Sequence, residues 1–131
     1  MVLASYGSVS KDFKNIARLK KFFIQIKNGE ISQTRLDCYP VVGLVSMDLL
    51  NVIKDKFILN KLSFPEKNIE VFYPSENYPS HVDEGGISYF IPLECGSFFI
   101  DDVNYPIVPF VLYSFEDSKP HNSDFGAIML K

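Results

Sequence analysis

A chain of 131 residues with 47% hydrophobic and 22% charged side chains has the composition of one ordinary globular domain, long enough to bury a core. A net charge of −3 with no basic stripe gives no electrostatic ground for binding nucleic acid. No apolar run approaches membrane-spanning length and no apolar leader stands near Met1, so the expected setting is cytoplasmic, with no membrane partner.

Residues 1–9 are weakly patterned and read as an arm or a short edge strand. Ser10 can cap a helix whose apolar residues Phe13, Ile16, Leu19, Phe23 and Ile26 recur at steps of three and four. Asn28-Gly29 stops it, and Lys14, Arg18, Lys20, Lys21 and Lys27 form its solvated face. Cys38-Tyr39-Pro40 reads as a short strand ended by a turn. Cys38 and Cys95 have no metal-type spacing and read as reduced, structural cysteines. A second helix follows, capped by Ser46 and buried along Leu49, Leu50, Ile53 and Phe57, with Lys54, Asp55 and Lys56 facing water. Pro65 excludes its continuation.

From Ile69 the period changes from helical to two-fold. Ile69, Val71 and Tyr73 alternate with Glu70, Phe72 and Pro74. Ile87 to Leu93 is apolar on both faces and reads as a central strand. Ser97 to Ile100 reads as a strand ended by an acidic turn over 101–104, and 107–110 as an edge piece broken by prolines. Val111 to Phe115 and Phe125 to Leu130 are the last two strands, with His121 in the connection or opening the final one. Helices first and short strands after predict a single α+β domain, with a helical support region over 1–68 and a β core over 69–131. The most direct arrangement is a double-stranded β-helix (a jelly roll, cupin-like) with two supporting helices.

Both histidines lie in the β half. His81 and Asp83 are two apart, so an extended segment projects both side chains from one face. His121, arriving from a later strand, would complete two histidines and a carboxylate on one side of a metal ion. That set leaves three positions open and suits non-haem Fe(II). The plainer reading makes both histidines turn residues beside prolines and Asp83 a solvated turn carboxylate. His-x-Asp alone is a weak signal.

From Tyr73 to Lys131 the chain resembles the 2-oxoglutarate-dependent Fe(II) dioxygenases, nearest to their prolyl-hydroxylase-like branch. That family shares a tyrosine, a small turn, a second tyrosine and then His-x-Asp. It also shares a later proline–aromatic–histidine segment and a basic residue about ten positions on. The matching positions are Tyr73, Tyr78, His81, Asp83, Pro109, Phe115, His121 and Lys131, in a little under half of the chain. The resemblance implies Fe(II) held by His81, Asp83 and His121, and 2-oxoglutarate as co-substrate. Lys131 would meet the distal carboxylate of 2-oxoglutarate and Tyr73 would add a hydroxyl, with Ser114 and Ser123 as lesser contacts. For Tyr73 a core aromatic with a wet hydroxyl is an equal reading. The implied reaction hydroxylates a small molecule or a peptidyl side chain while 2-oxoglutarate is decarboxylated to succinate.

Two features depart from the family's pattern. The histidines are only forty residues apart, which leaves room for small loops over the site, and Gly96-Ser97-Phe98-Phe99 replaces a longer glycine-led motif. Lys131 adds a geometric demand. Ten extended residues span about 33 Å at a strand's rise, too far for one pocket. Asn122 to Gly126 must then be mostly turn, with His121 ending one strand and Phe125 opening its return. Readings from other classes stay open: a non-catalytic jelly-roll module binding a metal, ligand or partner protein, a cupin-type metalloenzyme without 2-oxoglutarate, and an interaction protein built on sheet edges.

Overall fold

The computed structural model describes residues 3–9, 16–34, 37–40, 43–64, 69–74, 80–83 and 85–130, with side chains for all of these except 43–49. Their elements run β1 (Leu3–Ser8), α1 (Ile16–Lys27), β2 (Cys38–Pro40), α2 (Gly43–Leu59), β3 (Ile69–Phe72), β4 (Ile87–Pro92), β5 (Gly96–Ile100), β6 (Val103–Ile107), β7 (Val111–Glu116), β8 (His121–Ser123) and β9 (Ala127–Leu130). The strands form two antiparallel sheets, a large one in the order β1-β7-β4-β9-β3-β2 and a small one in the order β6-β5-β8. They stack as a β-sandwich, and both helices cover the outer face of the large sheet. Among the described residues no helix is long and apolar enough to cross a membrane.

Alternation along the central strands builds two cores. Val71, Ile91, Leu112 and Ile128 point outward and meet Leu19, Phe23 and Ile26 of α1 and Val52, Ile53 and Phe57 of α2. Phe57 is fully buried and lies 4.6 Å from the Tyr89 ring, fixing α2 to β4. The opposite faces carry Phe90, Tyr113, Phe115 and Ala127 inward, where Phe98, Ile100 and Ile107 of the small sheet meet them. Phe90 stands at the centre, 4.9 Å from Phe98, 5.4 Å from Tyr113 and 5.9 Å from both Phe115 and Phe125. Each such side chain contributes about 1.5–3 kcal/mol on burial, and each ring pair adds about 0.5–1.5 kcal/mol. With both faces of the large sheet covered, its central strands have no polar side to show in the sequence.

The helix stop after α1 has the expected chemistry. Gly29 takes φ 74°, Glu30 N–H returns to Gln25 O at 2.9 Å, and Gly29 N–H to Ile26 O at 3.1 Å, a Schellman end. The caps are a different matter. Ser10 and Phe13 lie outside the described residues. Ser46 does not cap α2, because the chain leaves β2 at Pro40 and is helical from Gly43, which puts Ser46 inside the first turn. Lys56 does not simply face water either; its Nζ donates to Ser8 O at 3.3 Å and ties α2 to the edge strand β1.

Two strand boundaries are also corrected. The turn after β5 is only Asp101-Asp102, both left-handed at φ 50° and 64°, the conformation of a two-residue hairpin loop. Val103 and Asn104 already pair with Ile100 and Phe99, so the edge strand is 103–107 rather than 107–110, and Pro106 is tolerated on it because among the described residues β6 has only β5 as a neighbour. His121 does not end a strand whose partner begins at Phe125. It opens β8 in the small sheet, and after a turn over 124–126 the chain crosses to β9 in the large one.

Candidate metal centre

His81 and His121 face each other across an isolated antiparallel bridge that extends the small sheet beyond β8. His81 N–H donates to His121 O at 3.0 Å and His121 N–H to His81 O at 2.9 Å. Residues opposed in this way send their side chains from the same face, and the two rings lie 4.4 Å apart. Asp83, two residues on, is fixed by its N–H to Asp117 O at 2.9 Å. The result is the convergence that the spacing of His81, Asp83 and His121 predicts. One nitrogen from each ring and one carboxylate oxygen all lie within 4.8 Å of one another, with His121 Nε2 3.4 Å from Asp83 Oδ2.

His121 is the rigid member. It is buried, its ring meets Phe115 edge-on at 4.8 Å, and its Nδ1 stands 2.7 Å from Lys119 O. A carbonyl only accepts, so Nδ1 carries a proton, and Nε2 is the ring nitrogen turned toward Asp83. His81 and Asp83 are half-buried and open toward solvent. Atoms about 2 Å from a common ion lie no more than about 4 Å apart, so a small side-chain rotation closes the set. The cluster could hold a metal ion. Two imidazoles and one carboxylate form a donor set suited to divalent iron, manganese, cobalt or zinc.

The triad opens on a cavity of about 300 Å³ between the sheets. Its walls are mostly aromatic, with Phe72, Phe90, Phe98, Phe115 and Phe125 joined by Met129. Asn122 and Ser123, both on β8, and Cys38 on β2 supply its polar atoms beside the triad. Ser123 thus lines the cavity beside the triad.

Tyr73 does not. Its ring packs edge-on against Phe23 of α1 at 5.6 Å with the helix-side core, and its neighbour Phe72 is the one that lines the cavity. Val71 already points to the helices, and alternation carries Tyr73 the same way. Ser114 is likewise turned away, sharing a 2.7 Å hydrogen bond with the Tyr6 hydroxyl. Lys131 and Tyr78 lie outside the described residues. The sequence alone does not mark Phe72, Phe90, Phe125 or Asn122 as cavity residues, whereas the cross-strand pairing of Phe98 with Ser123, in register with Ile100 and His121, places Phe98 on the face of His121.

Comparison with protein-family models, with curated proteins and with solved structures returns no match. The geometry of the site is therefore what bears on function.

Proposed function

We propose that this chain is a Fe(II)- and 2-oxoglutarate-dependent dioxygenase built on a double-stranded β-helix, hydroxylating a small molecule or a peptidyl side chain and releasing succinate and carbon dioxide. The observation that carries the proposal is the convergence of His81, Asp83 and His121 at a phenylalanine-lined cavity between two sheets. The strand order supports the fold reading. One layer contains β3-β9-β4-β7 and the other the His81 bridge, β8, β5 and β6, so the chain crosses between layers at most of its connections.

Fe(II) in this set would supply open coordination positions for two oxygens of 2-oxoglutarate and for dioxygen. The chain's own residues have separate tasks. Lys119 O holds the His121 tautomer, and Ser123 and Asn122 offer hydrogen bonds beside it. The aromatic wall offers an apolar surface to the substrate. Lys131, two residues beyond the cavity residue Met129, is assigned the distal carboxylate of 2-oxoglutarate.

Calorimetric titration of 2-oxoglutarate into anaerobic Fe(II)-loaded protein tests the reading, and metal-dependent 1:1 binding is expected. Lys131→Met keeps the stem and removes the charge. Losing a charge-assisted bond costs about 1.5–3 kcal/mol, so the affinity for 2-oxoglutarate should fall at least about tenfold with metal binding unchanged. Equal affinity in that variant would remove Lys131 from the site. A second reading, a metal-binding sandwich that takes no 2-oxoglutarate, needs only the triad. Tight metal binding with no 2-oxoglutarate heat selects it.

A further inference from the structure

Asp117 follows β7 and is 7% exposed, and its side chain is an anomaly. Oδ2 accepts the Ser88 hydroxyl at 2.6 Å, whereas Oδ1 is buried with no hydrogen-bond partner among the described residues. No lysine, arginine or histidine forms an ion pair with it among those residues. A buried carboxylate with an orphaned oxygen is costly, and folded chains keep such groups where something else compensates the charge.

The contacts around it lead to the segment that carries Asp83. The Asp117 main chain closes the segment that carries Asp83, since Asp83 N–H donates to Asp117 O at 2.9 Å and Asp117 N–H to Gly86 O at 3.1 Å. Ser88, which grips the carboxylate, is the cross-strand partner of Phe115, and the Phe115 ring contacts His121 at 4.8 Å. Alternation along β4 puts Ser88 on the inner face with Phe90. The carboxylate therefore sits inside the sandwich, on the face that carries Phe115, and its main chain is bonded to that of Asp83.

We infer that Asp117 is the outer-sphere counter-charge of the metal centre: a second carboxylate, oriented by Ser88, that joins Asp83 in balancing a divalent cation and positions Asp83 through its main chain. This role rests on the metal-binding reading of the triad. It is a positioning role, because Asp117 is not among the three ligand residues. In the metal-free protein its charge is a liability, and in the loaded protein an asset, so the two states should respond to its removal with opposite sign.

Asp117→Asn keeps the shape and the Ser88 contact and deletes the charge. Two readouts are compared with the parent: Co(II) affinity, followed by visible absorption, and the thermal midpoint of chelator-treated protein. The variant should bind Co(II) about tenfold more weakly or worse, the usual cost of losing an outer-sphere partner. Its metal-free midpoint should equal or exceed the parent's. A lower metal-free midpoint with unchanged Co(II) affinity marks Asp117 as a structural residue and overturns the inference. Should Asp117→Asn not fold, Ser88→Ala frees the carboxylate while leaving its charge; weaker Co(II) binding supports the role and unchanged binding overturns it. A parent that binds no Co(II), or an Asp83→Ala variant that binds it as tightly as the parent, removes the metal centre itself. An Asp117→Asn variant indistinguishable from a Co(II)-binding parent removes only the role of Asp117.

Discussion

Asp83→Ala should abolish useful metal binding while leaving the fold intact. The triad has a single carboxylate, so the substitution removes one of three ligands and the only negative one. The loss should exceed the roughly 10–100-fold that follows from removing an outer-sphere partner. Stability should hardly change, because the Asp83 side chain is half-buried and outside both apolar cores. Its anchor to Asp117 is a main-chain N–H that alanine retains. Substitutions of this kind usually stay within about 0.5 kcal/mol. Titration with Fe(II), Mn(II) and Co(II), beside a urea melt, separates the two effects. An alanine variant that binds any of them as tightly as the parent would end the assignment of the triad.

The triad was legible because its geometry follows from parity. Two residues apart on an extended segment is one face, whatever the rest of the chain does, and the sequence contains only one other histidine to complete the set. Of the two readings of Tyr73, parity alone does not select the core aromatic that its packing against Phe23 favours. In a strand apolar on both sides, parity groups Val71 with Tyr73 but does not say which group faces the helices. Strand boundaries failed where polar residues sit on an edge. Asn104 and Pro106 resemble turn residues, yet they belong to β6, whose far side has no partner among the described residues to demand a β-former. A three-residue strand such as β8 is too short for any period to appear.

The shift from helical to two-fold pattern near Ile69 did separate the helices from the sandwich core, although β1 and β2 also contribute strands from the first half. Asp117 was invisible for a different reason. Sequence places carboxylates at the surface, and a buried one shows itself only in the folded structure.

Gly126→Ala should be severely destabilising, although Gly126 is an unremarkable residue by sequence. A Cβ built there would lie 2.3 Å from Cε1 and Cζ of Phe23 and 3.3 Å from Cδ1 of Tyr73. The backbone at Gly126 has little freedom to retreat. Its N–H donates to Glu94 Oε2 at 2.8 Å, and its carbonyl accepts Leu93 N–H at 2.9 Å. Phe23 is also confined, buried in the helix-side core with Tyr73 edge-on at 5.6 Å and Lys27 Nζ 4.7 Å above its ring. Overpacking a filled core costs about 1–3 kcal/mol and occasionally more, and a clash against an aromatic ring on two flanks belongs at the upper end. Against a whole stability of about 5–15 kcal/mol, that should move the urea midpoint visibly. The turn is held by two hydrogen bonds whereas α1 rests on side-chain packing, so α1 should be the element that yields. The folded fraction of Gly126→Ala should then keep the Co(II) affinity of the parent, because β8 and His121 stay in place. Adding Phe23→Leu should recover part of the loss, a non-additivity expected of residues in direct contact. An unchanged midpoint in Gly126→Ala would mean that α1 does not pack against the turn between β8 and β9.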